Sequence, residues 1–437
     1  MTSGFSENKS YSAQGGTINM KIFKFGGASV KDAKGVKNLL SVLQFTGETK
    51  LVIIVSAMGK TTNQLEAVVS HYFLNRDEMK VAVSLVYDFH YKIISELFSN
   101  TSHQVYSKIS LLFNELNSFL ESNKSSNEAF VYDQVVSYGE LVSTTIISEY
   151  LLDKGINNTF LDVRKCIKTN TNYQDAIVDW KATQDNIKAN VNTNNITITQ
   201  GFIASESTHN FTTTLGREGS DYTAAIFAYC LNAQGVTIWK DVPGVLNADP
   251  RHFNKTQLLH HISYREAIEL AFYGASVIHP KTLQPLQRKE IPLFVKSFYH
   301  PKEEGTCVGK GVALDPIISC FILKKEQVLI SLSSLDFSFM MEDNIGDVFK
   351  LLHQNKMKVN LIQNSAISFS VCIDNKYNNL EPLLIKLRET FRVSWNENVT
   401  LYTVRHSSPL EIKNLLKGKE MLLRQESRET VQLVVKE

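Results

Sequence analysis

Residues 212–225 read TTTLGREGSDYTAA. Three threonines, two glycines, an arginine, a serine and an aspartate crowd into a polar turn, and a run of small apolar residues follows at once. A glycine-rich turn that opens a helix presents backbone N–H groups to an anion. Asp221 falls where that helix begins. A carboxylate there works against bare phosphate binding, yet it suits a metal or the ordering of a transferred phosphoryl group. The plain alternative is that Ser220 or Asp221 only caps the helix.

A second glycine pair has the same character. Residues 21–25 (KIFKF) read as a strand, and Gly26 and Gly27 turn the chain into a helix near 31–45. Strand, glycine pair, helix is a phosphate cradle, although the spacing is neither that of a P-loop nor G-x-G-x-x-G. Lys24, at the strand's end, can carry its ammonium to a phosphate; taken alone it reads as a solvated edge lysine. Residues 50–56 (KLVIIVS) form a nearly continuous apolar run, the pattern of a strand buried on both faces. The loop 57–63 (AMGKTTN) lies at its C-terminal end, where open α/β sheets gather ligands. Ser56, Thr61 and Thr62 there either hydrogen-bond a substrate or cap the next helix.

Glu140 sits on the polar part of an amphipathic helix predicted over 130–150, and Arg164 follows a short strand over 159–163. A surface charge is the default for Glu140; its functional reading is a partner for an ammonium, and that of Arg164 is a fork for a carboxylate. The strand 236–239 leads into an irregular polar loop, 240–251, of the kind that often carries nucleotide contacts. Lys281 is a further candidate cation for phosphates. His279 has no His, Asp or Cys at catalytic or metal-ligand spacing and reads as structural.

These residues need a scaffold. Strands over 195–199 and 291–295, a helix over 263–272, and a helical insertion over about 64–130 with breaks near Asn75 and 100–102 complete a β/α alternation from Lys21 to Ser297. The expected fold is a three-layer αβα sandwich around a mainly parallel sheet. From 327 onward the character changes: strands over 327–332, 358–362, 366–373 and 391–396 with helices over 345–355 and 380–390 give a ferredoxin-like βαββαβ order. A shorter unit follows, with strands over 399–404 and 431–435 around a helix over 409–416.

The 437 residues suit two or three domains. A net charge of +2 argues against a commitment to nucleic acid or a membrane surface. No apolar run approaches the length of a membrane span. The five cysteines are scattered without a CxxC pair, as expected of reduced core thiols in a cytoplasmic protein. Residues 1–19 are polar, without the apolar core of a signal peptide; they read as a disordered or appended leader, with Met20 as the natural start.

Together the ordered motifs KFGGASV (24–30), VSAMGKTTN (55–63), GE (139–140), DVRK (162–165), TTLGREGSDYTA (213–224), KDVPGVLNADPR (240–251) and GASVIHPKT (274–282) resemble aspartate kinase, of the amino acid kinase family with C-terminal ACT domains. The resemblance spans nearly the whole chain from Met20. It implies a catalytic domain over 20–310, an ACT-like domain over 320–397 and a shortened second ACT-like unit over 398–437. It implies transfer of the ATP γ-phosphoryl group to the β-carboxylate of L-aspartate, the entry to lysine, threonine and methionine synthesis, with Mg²⁺ on the phosphates and no dedicated protein metal site. Lys24 and Asp221 take the catalytic positions. Ser56, Thr62, Glu140 and Arg164 take the aspartate positions. Lys24, Phe25, Gly26, Gly27, Gly219, Ser220, Lys240, Asp241, Leu246, Arg251, Lys281 and Thr282 take the ATP positions.

Two residues depart from the family pattern. Glu218 stands where many relatives have glycine, which a side chain tolerates if φ is negative and it points to solvent. Lys240 stands where many relatives have threonine. In the C-terminal region the effector positions of lysine-sensitive relatives correspond to Met340, Asn344, Val359, Asn360 and Ser365. Two acidic positions of that pattern are here Asn360 and Ala366, and an ammonium is best matched by carboxylates. The region therefore reads either as a site for lysine or threonine or as an assembly module that builds a homodimer or larger oligomer. Kinases of the same fold with other acceptors are disfavoured by the helical insertion, Glu140, Arg164 and the tail. A catalytically dead amino-acid sensor is disfavoured by intact Lys24, Asp221, Glu140 and Arg164. A fused homoserine dehydrogenase is not expected, because no dinucleotide-binding domain follows.

Overall fold

Leu51–Val55 is buried at every position, and so is Ile196–Gln200. Two such strands need neighbours on both edges and helices on both faces, and the computed structural model supplies them. It describes residues 18–275, 278–336 and 338–437. The chain divides into two units, one of residues 18–245, 260–267 and 278–313, the other of 246–259, 268–275, 314–336 and 338–437.

Up to residue 309 the elements are β1 (Ile18–Phe25), α1 (Ala33–Thr46), β2 (Leu51–Val55), α2 (Thr61–Leu74), α3 (Arg76–Leu97), α4 (Gln104–Ser122), α5 (Glu128–Asp153), β3 (Asn158–Leu161), β4 (Lys168–Thr169), α6 (Trp180–Asn190), β5 (Ile196–Gln200), β6 (Ile203–Glu206), β7 (Thr212–Thr214), α7 (Gly219–Leu231), β8 (Ala233–Lys240), β9 (His261–Ser263), α8 (Tyr264–Tyr273), α9 (Pro280–Lys289), β10 (Leu293–Ser297) and β11 (Thr306–Gly309). The main sheet has the order β3-β5-β2-β1-β8-β10-β11-β9. Every pairing in it is parallel except β10 with β11. From β1 the chain moves to β2 on one side and later returns to β8 on the other. Such a switch point opens a crevice beyond the strands' C-terminal ends, here at Phe25, Val55 and Lys240.

Two expectations change. The three threonines 212–214 are not part of the polar turn; they form the buried strand β7, antiparallel to β6. Helix α5 is not amphipathic: it is buried on nearly all sides between Val131 and Leu151. The inserted helices α2 and α4 pack along it, and the sheet lies on another side. Its polar residues face protein. Ser143 Oγ donates to the Ser56 carbonyl at 2.7 Å, and Thr144 Oγ1 accepts from Gln200 Nε2 at 2.9 Å. Asp133 accepts from the Thr214 N–H at 2.9 Å and its hydroxyl at 2.8 Å.

Gly139 lets α5 lie close to the loop after β2. A Cβ there would stand 2.9 Å from Ala57 Cβ and 3.4 Å from atoms of both Leu65 and Thr61. Gly139→Val is expected to cost about 1–3 kcal/mol of unfolding free energy, the usual cost of overpacking, as read from urea denaturation.

The second unit carries β12 (Cys320–Ser334), α10 (Glu342–Gln354), β13 (Lys358–Asn364), β14 (Ser368–Asp374), α11 (Leu380–Arg388), β15 (Phe391–Arg405), α12 (Pro409–Leu415), β16 (Glu420–Glu426) and β17 (Thr430–Lys436). They form an antiparallel sheet in the order β13-β14-β12-β15-β17-β16. The strands predicted over 391–396 and 399–404 are one strand, β15, and β12 begins at Cys320 rather than at 327. Both run through the predicted ferredoxin-like segment and the shorter unit beside it and pair along their length, with the register shifting between Lys324 and Leu329. Glu326, at φ 57°, makes that irregularity, and the charged run 324–326 hid the strand's continuity. Helices α10 and α11 pack over Val328, Ile330, Val371 and Ile373, and α12 over Val404 and Leu433. This antiparallel α+β sheet fits ACT-like architecture.

The predicted effector positions lie around the start of α10, along β13 and in the turn that follows it. The Met340 N–H donates to the Ala366 carbonyl at 2.9 Å, and Asn344 Oδ1 accepts from the Met341 N–H at 3.1 Å. The Ser365 hydroxyl lies 2.7 Å from that of Ser368, and Val359 is half-buried in β13. Asn360 is held by Lys324 Nζ at 2.8 Å and by Gln327 Oε1 at 2.7 Å.

Candidate active site

Side chains alternate along a strand, so where Phe23 and Phe25 enter the aromatic core against Trp239, Lys24 between them points the other way. It is only 8 % exposed, and its Nζ lies 2.6 Å from Asp221 Oδ1. Asp221 Oδ2 lies 3.4 Å from Lys240 Nζ, at the end of β8. Two lysines from strands on either side of the switch thus converge on one carboxylate from α7. Burial alone would push the Asp221 carboxyl up; Lys24 and Lys240 outweigh it and hold the group below the usual carboxylate range. Asp221 is not a cap. Helix α7 begins at Gly219 with Glu218 as its N-cap residue, and no side chain there bonds the helix N–H groups.

These groups line a cavity of about 710 Å³. Of the residues read from sequence, Lys24, Gly27, Ser56, Thr62, Glu140, Gly219, Ser220, Asp221 and Lys240 line it. Gly27 is a site of close backbone approach: a Cβ would stand 2.5 Å from the Ala57 carbonyl oxygen.

Glu140 enters from α5 and is 2 % exposed. Its Oε1 accepts from the Ala57 N–H at 3.1 Å, and its Oε2 is buried without a hydrogen-bond partner. Burial pushes this carboxyl up to about 8, against the pull of the Ala57 N–H and of Lys24. It is a desolvated acid held through one oxygen only.

Glu218 overturns the expectation set for it. Its φ is 53°, in the left-handed region, and it faces the cavity rather than solvent. Its Oε2 is buried without a hydrogen-bond partner. Burial raises its carboxyl above the ordinary range, with Lys240 pulling the other way.

Other predicted residues lie apart from the cavity lining. Arg164 gives its fork to Asp162, with Nε 3.0 Å from Oδ1 and Nη2 2.7 Å from Oδ2, while Nη1 reaches Thr212 Oγ1 at 3.4 Å. Phe25 is a core side chain, so only its backbone is available to a ligand. Gly26 stays at the turn, where its carbonyl accepts from the Ser29 N–H. Asp241 is exposed just beyond β8. Lys281, in the first turn of α9, is ion-paired with Asp175, and Thr282 beside it is fully buried. His279 is the N-cap of α9, its Nδ1 accepting from the Lys281 N–H at 3.2 Å, which accounts for its place in the motif. Leu246 and Arg251 belong to the second unit, where Arg251 is exposed and paired with Asp249 at 2.6 Å.

Sequence reasoning missed Glu66, Tyr132, Gln174, Phe202 and Arg217 as lining residues. Two of them carried a signal. Tyr132 precedes Glu140 by eight positions on α5, and Glu66 follows Thr62 by four on α2, spacings that share a helix face. The Tyr132 hydroxyl donates to Glu66 Oε1 at 3.0 Å, closing that wall.

A model of the amino acid kinase family matches residues 19–297. The chain belongs to the amino acid kinase family. Within this family its likeness is to the aspartokinases. It is 31% identical over 392 residues to the lysine-sensitive aspartokinase 3 of Escherichia coli (strain K12), covering 87% of this chain and 85% of that one. It is 29% identical over 416 residues to the chloroplastic aspartokinase 1 of Arabidopsis thaliana, covering 92% and 69%. Among solved structures, E. coli aspartokinase III in complex with aspartate and ADP, in the R-state, superposes with a TM-score of 0.79 at 28% identity, covering 95% of this chain and 96% of that one. The same enzyme in complex with lysine and aspartate, in the T-state, superposes with a TM-score of 0.80, covering 95% of each.

Proposed function

We propose that this cavity is where the γ-phosphoryl group of ATP passes to the β-carboxylate of L-aspartate, giving 4-phospho-L-aspartate, the first step of lysine, threonine and methionine synthesis. The observation that carries the reading is the pairing of opposite pockets in one cavity. Lys24 and Lys240 converge on Asp221 to make a cationic pocket, and Glu140 offers a buried, unpartnered carboxylate oxygen for an ammonium. A phosphate donor and an amino-acid acceptor need both.

The acceptor carboxylate is already a nucleophile, so no general base is required, and catalysis is positioning and charge neutralisation. Lys24 meets the charge that develops on the transferred phosphoryl group. Asp221 fixes both ammonium groups in place. Backbone N–H groups at Gly27 and in the first turn of α7 approach the phosphates. Glu140 takes the aspartate ammonium, beside Ser56 and Thr62. Arg164, oriented by Asp162, is the guanidinium proposed for the α-carboxylate, and Lys281 the cation that leaves Asp175 for a phosphate.

Mg²⁺ keeps several waters and needs one or two carboxylates beside substrate phosphates. Asp221 and Glu218 are the carboxylates beside the cationic pocket that fit this role, and the ion when bound neutralises phosphate charge. For the second unit we propose a site for an amino-acid effector, lysine or threonine, together with assembly into a homodimer or larger oligomer; the Asn360 position already receives the Lys324 ammonium. We place the protein in the cytoplasm on its five free thiols; among the described residues no helix is long and apolar enough to cross a membrane.

The test is acyl-phosphate formation trapped with hydroxylamine, using MgATP with L-aspartate, L-glutamate or N-acetyl-L-glutamate, each with and without lysine and threonine. Product with aspartate alone is expected. Product with another acceptor, or with none while ATP still binds, would overturn the assignment.

A further inference from the structure

We propose that Glu218 is a direct ligand for the divalent cation that accompanies the nucleotide. The inference rests on the phosphoryl-transfer reading of the cavity. It starts from a residue that is costly where it stands. Glu218 has a left-handed backbone, at φ 53°, in a position where glycine would be free of strain. Its side chain does not offset that cost by capping α7, since it makes no bond to the helix N–H groups. Its carboxylate instead turns into the phosphate cavity, and Oε2 is buried there without a hydrogen-bond partner.

The neighbouring charges define what that oxygen can take. Asp221 is committed to Lys24 at 2.6 Å and to Lys240 at 3.4 Å. Burial raises the Glu218 carboxyl and Asp221 adds to that rise, against the pull of both lysines. A triphosphate entering this pocket draws the two ammonium groups toward its own oxygens, leaving two carboxylates beside a polyanion. A hard cation held between phosphate oxygens and the Glu218 carboxylate resolves that repulsion. Because the protein supplies too few ligands of its own, the site forms only with nucleotide present. Cation affinity should therefore depend on bound ADP or ATP, and on Glu218.

Mn²⁺ serves as the probe, its binding followed by electron paramagnetic resonance on the full chain with and without ADP. Glu218→Gln keeps the side chain's size and removes the charge. Its Mn²⁺ affinity in the ADP complex should fall on the order of tenfold or more, since even outer partners of metal ligands are worth that much. ADP binding without metal should be unchanged or tighter, because a negative charge has left the phosphate pocket. Glu218→Gly should show the same loss of Mn²⁺ affinity together with a higher thermal unfolding midpoint, which separates ligation from a structural role. Unchanged Mn²⁺ affinity in Glu218→Gln, with ADP still bound, would overturn the inference and leave the reaction assignment standing. Absence of any ADP-dependent Mn²⁺ binding in the unsubstituted chain would overturn both.

Discussion

Replacing Lys24 with alanine is expected to lower kcat by about two decades or more and to leave KM for aspartate nearly unchanged. Loss of one preorganised donor aimed at developing charge typically costs that much, and the Lys24 ammonium is such a donor: almost buried, fixed 2.6 Å from Asp221 and lining the cavity. The competing outcome is loss of the fold, since breaking a buried ion pair commonly costs about 3–5 kcal/mol. Here the carboxylate is not orphaned, because Lys240 remains 3.4 Å from its other oxygen. The thermal midpoint should therefore drop only modestly. With Lys24 gone, one of the two cations holding the Asp221 carboxyl down is lost, so residual activity should fail at higher pH on its acid side than in the parent. Near-normal turnover, or a collapse in stability matching the collapse in rate, would remove Lys24 from the proposed role.

Much of this architecture was legible because periodicity and the site coincide. The buried runs of β2 and β5 and the glycine turns after β1 and before α7 are local signals, and they sit at the strand ends where the cavity opens. Lys24 and Asp221 could be named because each is next to such a turn. What stayed hidden was set by tertiary surroundings. The ion pairs of Asp221 were hidden, and the cap stayed an open alternative, since sequence cannot show that two lysines, from β1 and β8, meet it in space. Helix α5 looked amphipathic because its polar residues answer protein partners rather than water: Asp133 serves Thr214, Ser143 serves Ser56 and Thr144 serves Gln200. Glu218 was given a negative φ by default, as befits any non-glycine residue, and the positive value emerged only with the turn itself. In the second unit the irregularity at Glu326 split one long strand into an apparent strand and a charged linker.

Lowering the pH from 8 to 6 is expected to raise KM for aspartate by about tenfold per unit, with a plateau above about pH 8, and Glu140→Gln should abolish that slope while raising KM throughout. The reason is the cost of ionising Glu140 in the empty site. Burial holds its carboxyl at about 8, well above its usual 4.5, so at neutral pH the ligand-free group is mostly protonated. An ammonium selects the ionised form, and binding must then expel a proton; one proton released per ligand bound gives about a tenfold change in apparent affinity per pH unit. The folded-state value is raised above the unfolded one. The group's contribution to stability is therefore fully present below about 4.5 and is lost as pH rises through about 8. Asp133, raised to about 6, has the same sign, so the effect of Glu140 is the difference between the parent and Glu140→Gln. The ligand-free parent should lose thermal stability across that window more steeply than the variant, and saturating aspartate should restore the parent alone. KM for ATP should stay nearly level in both proteins, because Glu140 is assigned to the acceptor and not to the nucleotide. An equal pH response of the two KM values would take Glu140 out of the ammonium pocket and return it to the role of a buried tether for the Ala57 N–H.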